Sequence, residues 1–370
     1  MSDRPITVGE LLRAAPPDRL PEVVAEHLRR HHAAERVEVL LGDLTLTGLW
    51  PLIDPGTRIA PAPAQRCFGS QQPVVDTGHT YLPLTVWGER LGVLYVAAAT
   101  PGAGLATVAD ELAMALRAAD MVTDRYRHVI RRRRLTMAAE LQWDLLPGRS
   151  LGDHRFLVAG QLEPAYAVMG DHFDWSLAGD RLTVTVLNGH GDGLDAALLS
   201  TVAVNAMRNA RRSGAGIVEQ AELASDALYA HSGGAAHTAT LLLEIDLRDG
   251  LVEAVDAGSP HAMIAREREI LPVTLEQQLP LGMFGETRYE TQRFRLEPGD
   301  RLLIVSDGVH AAVPGGRPPY GASALLGALR GTRLQPATEA VGTVMRGLRE
   351  YHGGSEPDDD AVTVCLDWRR

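Results

Sequence analysis

Acidic and imidazole side chains cluster where short β-type runs begin or end. Met169-Gly170-Asp171-His172-Phe173-Asp174 precedes one run. Asn188-Gly189-His190-Gly191-Asp192-Gly193 follows the next, residues 184–187. Ser306-Asp307-Gly308 follows residues 302–305, and Asp358-Asp359-Asp360 opens residues 362–366. Taken singly, an Asp-Gly after a strand is a turn, and three acids in a row are a solvated loop. Recurrence changes the reading. Carboxylates from separate segments, each flanking a strand, can converge at one edge of a sheet. Converging carboxylates suit hard cations such as Mg or Mn, which prefer oxygen ligands and keep part of their water.

The elements that would position these residues can be read from periodicity. Residues 8–97 read as a small α/β domain. Leu20, Val23, Val24, His27 and Leu28 follow helical spacing, residues 37–41 read as a strand, and residues 81–87 and 91–96 read as a hairpin around Gly88-Glu89-Arg90. After a Pro/Gly break at 100–104, Val108, Leu112, Ala115, Ala119, Val122, Tyr126 and Val129 recur every three or four residues. That apolar stripe resumes as Leu135, Ala138, Leu141 and Leu145, and Pro147-Gly148 stops it. Arg131 to Arg134 between the two parts read as a solvated helix face or as a contact with an acidic partner or nucleic acid. From about Phe156 the texture turns β-rich, with strands at 184–187, 240–245, 251–255, 302–305 and 362–366. Helical stretches fall at 194–212, 217–232, 322–329 and 337–351. The pattern predicts a layered α/β sandwich and a division into residues 1–100, linker helices at 101–148, and residues 149–370.

Composition narrows the function classes. The chain has 370 residues, 45% of them hydrophobic, and a net charge of −11. Two globular domains are expected. The acidic balance disfavours broad nucleic-acid binding, which needs surplus Lys and Arg. Only Cys67 and Cys365 are present, in no metal-type spacing. A zinc site or disulfide framework is not expected, and a reducing cytoplasm is the natural setting. No apolar run is long enough to span a bilayer, so no membrane association is expected.

Beyond composition, the run Met137-Ala138-Ala139-Glu140-Leu141-Gln142-Trp143-Asp144-Leu145-Leu146-Pro147 resembles the helix leading into SpoIIE-type PPM (protein phosphatase 2C-like) domains. Gly170-Asp171-His172-Phe173-Asp174 resembles their Gly-Gly-Asp-aromatic-Asp motif, with Met169 at the first Gly. Ser306-Asp307-Gly308-Val309 and Asp359-Asp360-Ala361-Val362 resemble the two later motifs, and Pro280-Leu281-Gly282 and residues 296–302 are similar as well. The segment before Pro101 resembles a GAF-type sensor domain. The resemblance implies a GAF-like α/β domain, a linker helix and a PPM-type α-β-β-α sandwich. It also implies two Mn or Mg ions that activate a water for in-line attack on phosphorus. By motif position, Asp171 holds one ion with the Gly189 carbonyl, and Asp307 and Asp359 hold the other.

Against that pattern, Asn188 stands where the family has an Asp that bridges both ions. A neutral amide offers one oxygen and no charge to offset the repulsion between two dications, so the second ion site is placed in doubt. His190 replaces a Met, Asp192 a His, and Ser259 a His. Asp192 reads either as a compensating carboxylate or as an acid at the first turn of the following helix. His190 and His172 read either as ligand or proton donor, or as ordinary loop histidines. Trp143 and Trp175 read as packing residues. Two functions follow from the resemblance. One is a sensor-regulated phosphoserine/phosphothreonine phosphatase in partner switching, acting on a phosphoprotein of the anti-sigma-factor-antagonist class and dimerising through the linker stripe. The other is an inactive phosphatase fold that binds a phosphoprotein or regulator without turnover.

Overall fold

The computed structural model describes residues 7–44, 46, 48–54, 61–98, 104–131, 134–164, 168–258, 260–353 and 357–369. It divides into two compact units, Met1–Arg134 and Leu135–Arg370. In the first, helices α1 (Val8–Ala14) and α2 (Leu20–His31) precede β1 (Ala34–Gly42) and β2 (Leu49–Pro51). Then come α3 (Pro61–Ser70), β3 (Val74–Asp76), β4 (His79–Val86), β5 (Glu89–Ala98), α4 (Leu105–Ala119) and α5 (Arg125–Ile130). The strands form one antiparallel sheet in the order β2-β1-β5-β4-β3.

Alternation along the strands decides which layer each side chain meets. Val37, Val39 and Leu41 of β1, with Leu94 and Val96 of β5, share one core with Val24 and Leu28 of α2 and Val108 and Leu112 of α4. The opposite parity, Leu40, Val93, Tyr95 and Ala97, packs with Ala64, Cys67 and Phe68 of α3. The β4–β5 turn is Trp87-Gly88, both with positive φ (48° and 86°). That is the two-residue turn whose twist matches a hairpin, and it lies one residue earlier than the loop read from the sequence.

One buried carboxylate ties this sheet to the chain that follows β2. Glu38 is fully buried. Its carboxylate accepts N–H bonds from Val39, Leu52, Ile53 and Asp54 at 2.8–3.1 Å. Burial raises its pKa, and the four N–H donors oppose that rise.

The second unit runs α6 (Met137–Leu145), β6 (Ser150–Gly152), β7 (Phe156–Glu163), β8 (His172–Ala178), β9 (Arg181–Asn188), α7 (Gly193–Arg212) and α8 (Ile217–Ser232). It continues β10 (Ala239–Asp246), β11 (Leu251–Ala257), β12 (His261–Arg266), β13 (Glu269–Pro272), β14 (Gln292–Arg295) and β15 (Arg301–Val305). The last elements are α9 (Asp307–His310), α10 (Ala324–Gly331), α11 (Ala337–His352) and β16 (Ala361–Trp368). Two antiparallel sheets, β14-β11-β10-β9-β8 and β13-β12-β15-β16-β7-β6, face each other. Val184, Val186, Leu241, Leu302, Ile304, Val362, Val364 and Leu366 fill the space between them. Opposite-parity residues meet the outer helices: Leu187, Leu242 and Val255 under α7 and α8, and Leu303, Val305 and Cys365 under α10 and α11. This is the α-β-β-α sandwich expected from the sequence.

The long stripe read across residues 108–145 is not one helix. It is three. Asp120, Thr123 and Asp124 form a polar turn between α4 and α5, which leaves Met121 and Val122 exposed. Thr136 then starts α6 afresh, its hydroxyl accepting from the Ala139 N–H. The first two helices belong to the first unit and the third to the second. Of the run Arg131 to Arg134, Arg132 and Arg133 lie outside the described residues. Among the described residues no helix is long and apolar enough to cross a membrane. Both thiols are buried, and burial pushes that of Cys67 up to about 12 and that of Cys365 higher still.

Glu38→Ala would remove an acceptor from four backbone N–H groups, of which that of Leu52 keeps the Val39 carbonyl. It is expected to destabilise the first unit by roughly 2–4 kcal/mol. Glu38→Gln, which keeps one carbonyl acceptor, is expected to cost less. Urea unfolding followed by tryptophan fluorescence measures both, and an unchanged midpoint for the alanine variant contradicts the anchoring role.

Candidate metal centre

Antiparallel neighbours bring distant motifs to one end of the sandwich. β15 ends at Val305 and β16 starts at Ala361, with Val305 paired to Thr363. The Ser306 N–H donates to the Val362 carbonyl, and the Val362 N–H donates to the Ser306 hydroxyl (3.0 and 2.9 Å). A Cβ on Gly308 would lie 1.8 Å from the Asp360 carbonyl oxygen. Only glycine lets the segment carrying Asp307 rest on the segment carrying Asp359. Gly189 does the same for the other pair of motifs: its Cβ would lie 2.0 Å from the Met169 carbonyl oxygen.

Asp171 is buried just before β8. One of its oxygens accepts from the Gly189 N–H at 2.9 Å, and the other is buried with no partner. Burial drives its pKa well above the ordinary carboxylate range. The charges of Asp307 and Asp359 push it further, against the Ser306 side chain and the Gly189 N–H. The Asp359 carboxyl is raised to about 6, first by burial and then by Asp307, Asp360 and Asp358. Carboxylates from three segments therefore act on one another's ionisation. Asn188, the last residue of β9, is buried, and its Oδ1 has no partner. Its parity matches Val184 and Val186, so it faces the space between the sheets.

Asp360 supplies the scaffold. This fully buried carboxylate accepts from the Met169 N–H (2.9 Å), the Gly170 N–H (2.9 Å) and Gln142 Nε2 (2.7 Å). Gln142 Nε2 also donates to the Asp171 carbonyl at 2.9 Å. One side chain of α6 thus spans both acidic segments. Asp174 is structural: it pairs with Arg208 (2.8 Å) and Arg211 (3.1 Å), and Arg208 also donates to the Leu145 carbonyl at the end of α6.

The remaining expected residues stand apart. His172 is paired in register with Leu187 and so faces α7 and α8, away from the space between the sheets. Burial lowers its pKa to about 4, which leaves it neutral. His190 is exposed and stacks on His237, with ring centroids 4.7 Å apart. Asp192 is exposed at the N-cap of α7 and its side chain makes no capping bond. Ser259 lies outside the described residues. Trp175 is buried in the inter-sheet core. Sequence reading does not single out Gln142 or Asp360 as organisers. Nothing in spacing separates Asp360 from Asp359, and only burial does.

The donor chemistry fits a hard divalent cation: mutually repelling carboxylates, with orphaned buried oxygens on Asp171 and Asn188. Among the described residues, however, no three His, Cys, Asp or Glu side chains are gathered closely enough to hold an ion as they stand. Closing the set would need side-chain adjustment.

Gln142→Ala would strip a donor from both the Asp171 carbonyl and the Asp360 carboxylate. We expect a loss of roughly 1–3 kcal/mol of stability in the second unit, together with weaker Mn binding by calorimetry. Unchanged Mn affinity would show that α6 does not position the acidic segments.

Residues 178–369, more than half of the chain, match the family described as Stage II sporulation protein E (SpoIIE). The matched span includes Asn188, Asp307 and Asp359 and begins after Asp171. Among solved structures, the second unit is similar to the SiaA-PP2C domain of Pseudomonas aeruginosa (20% identity, 62% of this chain and 94% of that one, TM-score 0.54). It is also similar to the PP2C phosphatase domain of SpoIIE with a fragment of its regulatory domain from Bacillus subtilis (20%, 58% and 62%, 0.51). A third similar structure holds the RsbU and RsbW domains of a Mycobacterium tuberculosis protein (22%, 58% and 62%, 0.50). No curated protein sequence matches the chain. Sandwich, motif order and sequence match agree: this chain belongs to the SpoIIE family, and its second unit has the PP2C-type phosphatase fold.

Proposed function

We propose that the protein is a metal-dependent phosphoserine/phosphothreonine phosphatase acting on a phosphoprotein, with its first unit serving as a GAF-like sensor. The reading rests on one observation above all: Asp171, Asp307 and Asp359, from three segments, share one negative environment beside orphaned buried oxygens. In this chain Asp171, with the Gly189 carbonyl, would hold one Mn or Mg ion, and Asp307 and Asp359 the other. When bound, such ions supply a water of lowered pKa and stabilise charge on the transferring phosphoryl group. The chain's own part is to hold the carboxylates in place through Gly189, Gly308, Asp360 and Gln142. The substrate we infer is a phosphorylated anti-sigma-factor antagonist or a protein of that chemistry, met in the cytoplasm. The expected homodimer contact through the stripe is not carried forward, because Val108, Leu112, Ala119 and Tyr126 are buried in the first unit's own core.

Asn188 supports a second reading. An amide oxygen can ligate one ion, but its NH2 end repels a second, and no shared negative charge offsets the repulsion between two dications. On this reading the fold binds a phosphoprotein or regulator without turning it over. Asp192 and His190, the residues that could compensate, are both exposed, one at a helix N-cap and the other stacked on His237.

Hydrolysis of an aryl phosphate with Mn tests the pair. We expect native turnover that Asp307→Ala lowers by about 100-fold or more, and a gain of about tenfold on Asn188→Asp, the equivalent of one ion interaction of about 1.4 kcal/mol. Turnover by Asn188→Asp with none by the native chain would overturn the enzyme reading and favour the binding module.

A further inference from the structure

The first unit carries a group of chemistry-bearing side chains that the phosphatase reading leaves unused. His27, His31 and His32 lie on and just after the last turn of α2. The buried face of that helix is Leu20, Val24, Ala25 and Leu28, so the histidines sit along its margin. His27 is half-buried and His31 exposed. Positions i and i+4 lie above one another on a helix. The His27 and His31 rings are accordingly 4.7 Å apart between centroids and tilted by 40°.

That separation is within the span a shared metal allows. With metal–nitrogen bonds of about 2.0–2.1 Å and a ring nitrogen about 1.1 Å from the ring centre, two imidazoles meeting at roughly 90–110° have centroids about 4.5–5.2 Å apart. His32, at 6.1 Å from His27, exceeds that span, so the chelating pair is His27 with His31. The stacked His261–His310 pair, at 3.6 Å, falls short of it, whereas the His190–His237 pair, also at 4.7 Å, meets it and is the competing site in the test below.

Arg29 and Arg30 follow His27 and would repel a cation; both pair with Glu26 (3.9 and 2.7 Å), which offsets one of the two charges. The carbonyl end of α2 adds a favourable field for positive charge. Burial and the neighbouring His31 and His32 lower the pKa of His27, which leaves its imidazole neutral and able to ligate at neutral pH.

We propose that His27 and His31 form a two-imidazole site for a borderline divalent transition ion of the zinc, nickel or copper class, completed by water. Imidazole nitrogen suits these ions, whereas Mg and Mn prefer oxygen. The site is therefore chemically distinct from the carboxylate cluster, and it places a metal response in the first unit.

The test uses the full chain with excess Mg to occupy oxygen sites. Zinc is titrated against a chromophoric chelator, for the native protein, His27→Ala, His31→Asn and His190→Ala. One zinc equivalent is expected in the native protein that His31→Asn and His27→Ala each weaken by at least about tenfold and that His190→Ala retains. Zinc is also expected to raise the unfolding temperature of the native chain more than that of His31→Asn. His31 is exposed, so its asparagine variant keeps the fold. Equal zinc stoichiometry and affinity in the native chain and His31→Asn would overturn the proposal and leave the three histidines as ordinary helix-terminal side chains. Loss of the same equivalent in His190→Ala alone would overturn it too, by moving the site to the second unit.

Discussion

Like-charge repulsion at one end of a sandwich is the constraint this structure must satisfy. Asp307 raises the pKa of both Asp171 and Asp359, and Asp359 adds to the rise at Asp171. Without a counter-ion their proximity opposes folding. The fold holds them there by backbone means. Gly308 and Gly189 remove the Cβ atoms that would wedge the segments apart. The Ser306–Val362 pair of bonds locks the ends of β15 and β16. Asp360 then gathers two backbone N–H groups and Gln142 around a fourth carboxylate. These donors are what allow Asp360 to be buried among like charges, because an ionised carboxylate without donors is costly in the interior.

The same logic links α6 to the acidic segments. Gln142 touches the Asp171 carbonyl and the Asp360 carboxylate, while the end of the same helix is held through Leu145 by Arg208, itself fixed by Asp174. Two polar contacts, one near the middle of the helix and one at its end, fix both its position and its rotation. A shift of α6 would have to break a buried hydrogen bond at the site, and such bonds are expensive to leave unmade. The helix is short, and its buried positions are Ala138, Ala139, Gln142 and Leu145. Two of these are alanines and one is polar, so these polar contacts add to the apolar packing of Leu141, Trp143 and Leu145 in placing it.

Much of this architecture is legible in the chain. Strands 184–187, 240–245, 251–255, 302–305 and 362–366 all exist, each longer than read, because alternating burial on two faces is a strong local signal. The helices after Asp192 and before Gly233 and Gly353 are equally clear. The acidic segments are recognisable as segments, since each flanks a strand. What cannot be read is tertiary. The stripe of residues 108–145 keeps helical spacing across two breaks, and periodicity cannot see the polar turn at Asp120–Asp124. Asp359 and Asp360 are identical in type and adjacent. Only the fold reveals that one feels the other carboxylates while its neighbour accepts backbone N–H groups. Glu38 reads as an ordinary strand acid until four N–H donors are seen around it.

Asn188 is where pattern and physics meet most sharply. It lies at the end of β9, facing between the sheets, and its buried Oδ1 has no hydrogen-bond partner. A buried acceptor left unsatisfied costs on the order of 1–3 kcal/mol, so its retention needs a reason. A cation that this oxygen can coordinate supplies one, since an amide oxygen is a competent hard-cation ligand. Two cations sharing it are another matter, because the amide lacks the charge that screens one from the other. The chain thus sets a neutral amide beside carboxylates from three segments. If the site takes divalent ions as proposed, the acids would supply the charge to hold a first ion, and the amide would leave a second less well compensated.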